Sequence, residues 1–414
     1  MTKQNLQTLK GFRDFLPEQM RVRSFVVGKM CEVFERFGFE ELQTPVLEAQ
    51  EVLLGKYGEE AEKQMYLFED RGKRKVGMRY DLTVPLARAI ASNPQVSMPF
   101  KRYQIQPVWR TENTQKGRYR EFYQCDIDIV GSSSPIADAE VIAVINAIFK
   151  TLSFKEYKIR INSRAVLFST MERSGISEDK WLAVIQSIDK LDKKSREEVE
   201  KELSEKGVAS EAINSIFANL RTAKPDEFLS DTIELAKNFG VSDNKLVFDP
   251  ILSRGLDYYT GPIFESFVEE PVMGSLTGGG RYDKLFKTLG GPDLPATGTT
   301  IGLERIIDVI SELGMISLDE SPVKVLVTVF DKKLLGNSVE LANYLRSKKV
   351  NTELYLNPED RLGKQLKYAD KKGIPFVVII GEEEVRQNKV TLKELASGGS
   401  KLISPQDLPA ILGV

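Results

Sequence analysis

The sequence predicts a mixed α/β chain of more than one domain. It should hold an α+β domain on an antiparallel sheet with flanking helices, broken by a helical insertion and followed by a small parallel α/β domain. Three observations predict it. Residues 102–110 and 120–129 alternate with period 2, residues 154–247 turn into charged helical segments poor in glycine, and after residue 323 apolar strands alternate with helices. At 414 residues the chain is too long for one ordinary core, and 41% hydrophobic with 29% charged residues describes a soluble globular protein.

After Gly11-Phe12-Arg13-Asp14-Phe15-Leu16-Pro17, residues 18–37 place Phe25, Val26, Met30, Val33, Phe34 and Phe37 at helical spacing, which predicts an amphipathic helix. Thr83 stands before Val84-Pro85, as an N-cap stands before a proline in the first turn, so a helix is expected from there to Ala91. The next element is a hairpin. Tyr103, Ile105, Pro107 and Trp109 oppose Arg102, Gln104, Gln106 and Arg110 on one arm. On the other, Tyr123, Cys125, Ile127 and Ile129 oppose Arg120, Phe122, Gln124, Asp126 and Asp128. With Thr111–Tyr119 as the loop, Arg110 falls opposite Arg120, and the even-numbered sets make one polar floor.

A hairpin with a solvated outer face is the ordinary reading of such a pattern. The contents of the floor argue otherwise. Lys116 and Arg118 in the loop and Arg110 on the floor suit phosphates, the carboxylates suit an ammonium or imidazole, and the Phe122 ring suits a purine. Beyond the hairpin, residues 154–247 read as an insertion, whose plain alternative is a solvated helical subdomain. Glu312–Pro322 reads as a linker. Strands are expected at 323–330, 351–356 and 375–381, with helices near 333–348 and 361–372. The domain divisions are therefore 1–153, 154–247, 248–312, 313–322 and 323–414.

Composition excludes several chemistries. The chain has no histidine, so it can hold no Ser-His-Asp triad, imidazole base or imidazole metal ligand. Two cysteines, Cys31 and Cys125, make neither a disulfide framework nor a zinc site and are expected in the core. No apolar run spans a membrane and the N-terminal residues lack a secretory apolar stretch, so the expected location is the cytoplasm. The net charge is -2, yet residues 323–414 carry 15 Lys and Arg against 11 Asp and Glu, a basic bias that suits a nucleic-acid partner.

Arg110-x-Glu112 before an arginine-bearing loop resembles the second motif of class II aminoacyl-tRNA synthetases. Gly-Arg-Tyr-Arg-Glu-Phe-Tyr-Gln-Cys-Asp at 117–126, Arg-Tyr-Asp-Leu-Thr-Val-Pro at 79–85 and Arg-Gly-Leu-Asp-Tyr-Tyr-Thr-Gly at 254–261 resemble the histidyl-tRNA synthetase family. The resemblance implies ATP-dependent ligation of L-histidine to tRNA(His) through a histidyl-adenylate, with ATP and Mg2+ at the site. It also implies a homodimer built by the first motif through Thr44-Pro45, an insertion near the tRNA acceptor stem, and a C-terminal anticodon-binding domain.

Arg254 and Arg110 are then the expected catalytic cations on the α-phosphate and carboxylate, as charge redistributes there. Arg118, Phe122, Glu112 and Arg305, the last in Gly302-Leu303-Glu304-Arg305, would hold ATP. Asp81 and Thr83, read as sharing one face of a strand, would take the histidine ammonium with Gln124 beside them. Asp128 and Tyr259 are expected at the imidazole, and Tyr258 and Tyr282 as walls. Gln115 and Lys116 would meet the tRNA acceptor end, and no residue is assigned as a metal ligand. The glycines at 278–280 and 298 imply backbone packed close to substrate. With no imidazole available, a phosphate oxygen of the adenylate is the expected base in the transfer step. The second reading is a silent paralogue that binds histidine or tRNA without charging it.

Overall fold

The two alternating runs form ten-residue strands, Phe100–Trp109 and Glu121–Val130. They pair antiparallel from Phe100↔Val130 to Trp109↔Glu121, and the Arg110 N–H donates to the Arg120 carbonyl at 2.9 Å. The period-2 pattern fixes this register because a slip of one residue would turn Cys125, Ile127 and Ile129 out of the core. The computed structural model describes residues 6–54, 62–114, 117–192, 194–254, 258–316 and 321–413. They divide into two compact units, one ending at Ile316 and one beginning at Ser317.

In the first unit the hairpin belongs to an eight-stranded sheet. Its order is Glu40–Glu41, Phe100–Trp109, Glu121–Val130, Ala296–Ile301, Thr277–Arg281, Pro262–Phe267, Lys158–Ser163 and Leu246–Phe248. The interior pairings are antiparallel and the two outermost are parallel. Three helices, Pro17–Arg36, Pro135–Thr151 and Leu303–Glu312, cover its apolar face. Val26, Met30, Val33 and Phe34, Ile142, Ile145 and Phe149, and Ile306 and Val309 join the strand residues in one core. Each such side chain contributes roughly 1.5–3 kcal/mol by leaving water. The first helix starts at Pro17, where the missing N–H costs nothing, and the Gln19 side chain accepts the Leu16 N–H at 3.0 Å.

The other face of the hairpin is buried too. Arg102 and Gln104 are 0% exposed, and Asp126 and Asp128 are 2% and 3%. Segments around Thr44 and Leu82 cover them: Gln104 donates to Thr44 Oγ1 at 2.8 Å and Arg102 to the Leu82 carbonyl at 3.5 Å.

Two expectations need correction here. The helix near Pro85 runs Thr83–Ala91, but Thr83 does not cap it. Asp81 Oδ1 accepts the N–H groups of Thr83 and Val84, both at 3.1 Å, because a carboxylate is the better acceptor at the positive end of a helix. Thr83 is therefore helical, and the two residues do not share a strand face. Nor does 154–247 stand apart as a whole. Lys158–Ser163 is a strand of the main sheet, and the helix Glu227–Asn238 sends Leu229 and Ala236 into the same core as Pro135–Thr151. The helices between Arg164 and Thr222 gather around a second apolar set, with Leu167, Ile185, Leu203 and Phe217 among its members, and they share it with Leu86, Val130, Ile263 and Tyr282 of the catalytic part.

The second unit carries strands Thr352–Leu354, Val325–Val327 and Phe376–Ile379 in parallel, with helices Leu335–Ser347 and Leu362–Lys371. Two further strands, Val390–Glu394 and Ser400–Ile403, extend this sheet antiparallel, so the sheet is mixed. The linker expected at 313–322 lies partly outside the described residues. No helix among the described residues is long and apolar enough to cross a membrane.

Candidate active site

A cavity of about 380 Å³ opens above the hairpin floor. Four arginines line it: Arg110, Arg118, Arg254 and Arg305. Arg110 leaves the first hairpin strand at its mouth. Its Nε donates to the Tyr80 carbonyl at 3.1 Å, and its guanidinium lies 4.2 Å from the Tyr80 ring centre and 5.1 Å from that of Phe122. Glu112 stands between Arg110 and Arg118 at 3.8 and 3.9 Å, distances that orient the two cations without consuming them. Arg305, in the first turn after the last sheet strand, donates from Nη1 to the Ser275 carbonyl at 2.5 Å. Burial and the nearby charges of Arg118 and Arg254 depress its pKa, so a ligand anion would relieve a local excess of positive charge.

Arg254 is the most constrained of the four. Its backbone sits at φ +34°, in the left-handed region that costs a non-glycine residue ~1–3 kcal/mol. Its guanidinium crosses the strand Thr277–Arg281 where there is no side chain: a Cβ on Gly278 would lie 1.4 Å from Nη1. That Nη1 is buried and has no partner among the described residues. Burial opposes its charge, but Tyr259, Glu265, Tyr258 and Asp189 around it hold its pKa above the ordinary value.

Asp81, Thr83, Phe122, Gln124, Tyr258 and Tyr259 line the same cavity, as does Glu112. The Tyr258 and Tyr259 rings stand 4.8 Å apart, and Tyr258 meets Tyr282 edge-on at 5.9 Å. Asp128 and Tyr282 do not line the cavity. They form a layer behind it, where the Tyr282 hydroxyl donates to Asp128 Oδ1 and Arg102 Nη2 lies 2.6 Å from Asp128 Oδ2. Gln115 and Lys116 lie outside the described residues.

Two glycine readings change. A Cβ on Gly298 would meet Asp128 Oδ1 at 2.0 Å, and one on Gly279 would meet the Gly298 carbonyl at 2.0 Å. A Cβ on Gly280 would meet the Pro262 carbonyl at 2.6 Å. These glycines admit the protein's own atoms, and Gly278 alone of them lines the cavity.

The sequence reading passed over a support that the fold makes plain. Glu304 lines the cavity and is held by Arg23 through two hydrogen bonds of 2.9 and 2.7 Å, with Arg13 at 3.2 Å. Arg13 in turn lies 3.2 Å from the ring centre of Tyr119, and the Gly11 carbonyl accepts the Arg120 N–H at 3.0 Å. Burial pushes the Glu304 carboxyl up, but Arg23 and Arg13 outweigh it and keep the carboxyl below its ordinary value. The signal was present in the Gly11–Pro17 segment and beside Arg305, but pairing across 281 residues of sequence has no local signature.

An antiparallel sheet whose hairpin and last strand-to-helix turn face one arginine-lined cavity is the class II aminoacyl-tRNA synthetase fold. Known proteins narrow this further. Residues 11–306 match the family described as histidyl-tRNA synthetase, and residues 324–413 match the anticodon binding domain family. A histidine–tRNA ligase from Rhodopirellula baltica is 40% identical over 419 residues, covering 95% of this chain and 94% of the relative. One from Aeropyrum pernix is 41% identical over 408 residues, covering 94% and 93%. The crystal structure of histidyl-tRNA synthetase from a Nostoc species superposes with a TM-score of 0.85 at 31% identity, over 99% of each chain. The chain belongs to the histidyl-tRNA synthetase family.

Proposed function

We propose how the cavity carries out the family's reaction, the ATP-dependent ligation of histidine to tRNA(His). Activation joins a histidine carboxylate oxygen to the α-phosphorus of ATP and breaks the bond to pyrophosphate. Two anions must meet, so the first requirement is positive charge placed in advance where the oxygens will lie. Arg254 and Arg110 supply it at the α-phosphate and carboxylate. The observation that carries this assignment is the unpartnered Nη1 of Arg254, brought to the cavity across the bare backbone of Gly278. Arg118 and Arg305 hold the outer phosphates, Phe122 stacks on the adenine, and Glu112 meets its polar edge.

Asp81, Thr83 and Gln124 receive the histidine ammonium. Tyr258 and Tyr259 flank the imidazole, with Asp128 acting on it from behind through Tyr282. In the second step a ribose hydroxyl of the tRNA attacks the histidyl carbonyl, AMP leaves, and the hydroxyl proton passes to a phosphate oxygen. The reaction also calls for a magnesium ion beside the outer phosphates, to which no residue of this chain is assigned. Such an ion would neutralise the departing pyrophosphate.

The second unit is assigned to the anticodon and the helices within 164–222 to the acceptor arm, in the cytoplasm. A homodimer is supported by apolar groups left in water on the small sheet of Leu47–Ala49, Lys75–Met78 and Leu67–Glu69, where Leu47 and Phe68 are each 44% exposed.

Histidine-dependent exchange of labelled pyrophosphate into ATP tests the assignment. Exchange is expected with histidine alone among the amino acids and is expected to fall about 10²–10³-fold in Arg254→Ala. Undiminished exchange in that variant would remove Arg254 from the mechanism. No exchange from folded wild-type protein that binds ATP would favour the silent paralogue.

A further inference from the structure

Gln124 stands in the cavity wall with 6% of its surface exposed. Its Nε2 donates to Thr300 Oγ1 at 3.2 Å, and its Oε1 is buried with no partner among the described residues. A primary amide can present either end to a ligand, and the two ends differ only in whether they donate or accept. In this fold the choice is made one layer deeper. Thr300 has a single proton, and its register partner across the strands, Asp126, sets a carboxyl beside it that can accept that proton.

The other donors near Asp126 are committed elsewhere. The Gln104 amide, directly across the hairpin from Asp126, donates to Thr44 Oγ1 and Gln106 Oε1. Arg102 Nη2 lies 2.6 Å from Asp128 but 4.0 Å from Asp126 Oδ2. Burial and Asp128 push the Asp126 carboxyl up, against Arg102, to about 8. A proton taken up there belongs on Oδ1, the oxygen without a partner, since Oδ2 is the one that faces Arg102. In either charge state an acceptor oxygen remains for Thr300. With its proton turned toward Asp126, Thr300 offers Gln124 only lone pairs.

We propose that Thr300 is a positioning residue for amino-acid recognition: it locks the Gln124 amide with its carbonyl oxygen toward the cavity, as an acceptor for the substrate ammonium. This rests on the reading that places Gln124 at the ammonium. A flipped amide would set two N–H groups against a cation, so the lock selects for a ligand bearing –NH3+ over one that lacks it. The selection comes from an acceptor left unpaired unless the amine is present.

The test is Thr300→Val, close to isosteric in a strand, with Thr300→Ser to restore the hydroxyl and Gln124→Ala as the reference. Three ligands report on it: histidine, through its KM in pyrophosphate exchange; histamine, which keeps the amine and lacks the carboxylate; and imidazolepropionate, which keeps the carboxylate and lacks the amine. Thr300→Val is expected to weaken histidine and histamine about 10-fold. Imidazolepropionate inhibition, kcat, the KM for ATP and the melting temperature should change little, and Thr300→Ser should recover the loss. In a Gln124→Ala background Thr300→Val should add nothing further.

Equal weakening of all three ligands would make Thr300 merely structural and overturn the proposal. So would wild-type affinities in Thr300→Val where Gln124→Ala weakens histamine, which faults the lock alone. Wild-type histamine affinity in Gln124→Ala would instead remove Gln124 from the ammonium, and the proposal with it.

Discussion

The two units of this molecule treat their buried polar groups in opposite ways. In the C-terminal unit each is spent on the fold. Gln365, fully buried, donates to the carbonyls of Val329 and Asp360 at 2.8 Å and accepts the Val329 N–H at 3.0 Å. Ser338 and Thr328 likewise donate to backbone carbonyls at 2.8 and 3.0 Å. In the first unit Arg102 Nε, Gln124 Oε1, Asp126 Oδ1 and Arg254 Nη1 are buried without partners among the described residues. Among the described residues every such orphaned side-chain atom lies in the first unit. An unmade buried hydrogen bond costs about 1–3 kcal/mol; of these four groups Gln124 and Arg254 line the cavity, where a ligand can supply the missing partner, while Arg102 and Asp126 lie behind it.

The sharpest way to break that contrast is Gly278→Ala. The added methyl would stand 1.4 Å from Arg254 Nη1, so the guanidinium has to leave its place. Pyrophosphate exchange is expected to fall about 10²-fold or more, approaching Arg254→Ala, while the thermal midpoint moves less because Nη1 has no partner among the described residues to lose. A strong fall in stability with exchange intact would show that Gly278 serves the fold. The converse change is Gln365→Ala in the C-terminal unit. It strands Val329 and Asp360 backbone groups and should cost about 2–3 kcal/mol in denaturant unfolding, with histidine-dependent exchange, which needs no tRNA, left at the wild-type rate.

Ligands should separate the sheets as well. Saturation to 100 times Kd is worth about 2.7 kcal/mol to the state that binds. Hydrogen exchange with histidine and ATP present should therefore slow across the strands Glu121–Val130, Thr277–Arg281 and Ala296–Ile301. It should stay unchanged across Val325–Val327 and Phe376–Ile379. Uniform slowing would mean that the orphaned groups are not what the ligands satisfy.

What the sequence disclosed follows the same division. The hairpin register was legible because an apolar face has only one place to go, and Tyr103, Cys125, Ile127 and Ile129 go there. Arginines at 110, 118, 254 and 305 could be named from motifs, and all four line one cavity. The depth of each residue was not legible. Asp128 and Tyr282 have the chemistry of a binding pair, yet their mutual hydrogen bond keeps them behind the wall. A glycine run announces that something approaches the backbone without saying what, and at Gly298 it is Asp128. Asp81 was read as a ligand group only, because its capping of Thr83 and Val84 depends on a turn that local pattern did not mark. The strands Val390–Glu394 and Ser400–Ile403 escaped because Lys393, Glu394 and Lys401 mask the alternation of Val390 and Leu392.

The last effect expected is a slope with pH, and it bears on the orphaned floor directly. Burial, aided by Asp128 and opposed by Arg102, pushes the Asp126 carboxyl up to about 8. The unfolded chain would release this proton near the ordinary value of 3.8. Between those two values the native state therefore holds more protons than the unfolded state, and this group's contribution to stability must fall as pH rises. The contribution is complete below about 4 and is lost through about 8. Glu304, held below its ordinary value by Arg23 and Arg13 against its burial, tilts stability the other way at acid pH, so the wild-type curve alone is a compromise. The informative quantity is the difference from Asp126→Asn, whose neutral amide stands in for the protonated acid at every pH. Denaturant unfolding of both proteins from mildly acid to mildly alkaline pH should show the wild type losing ground to the variant as pH rises. Parallel curves would mean that Asp126 is ionised throughout, with Arg102 shared between two carboxylates, and the floor of the catalytic sheet would then be satisfied more like that of its C-terminal counterpart.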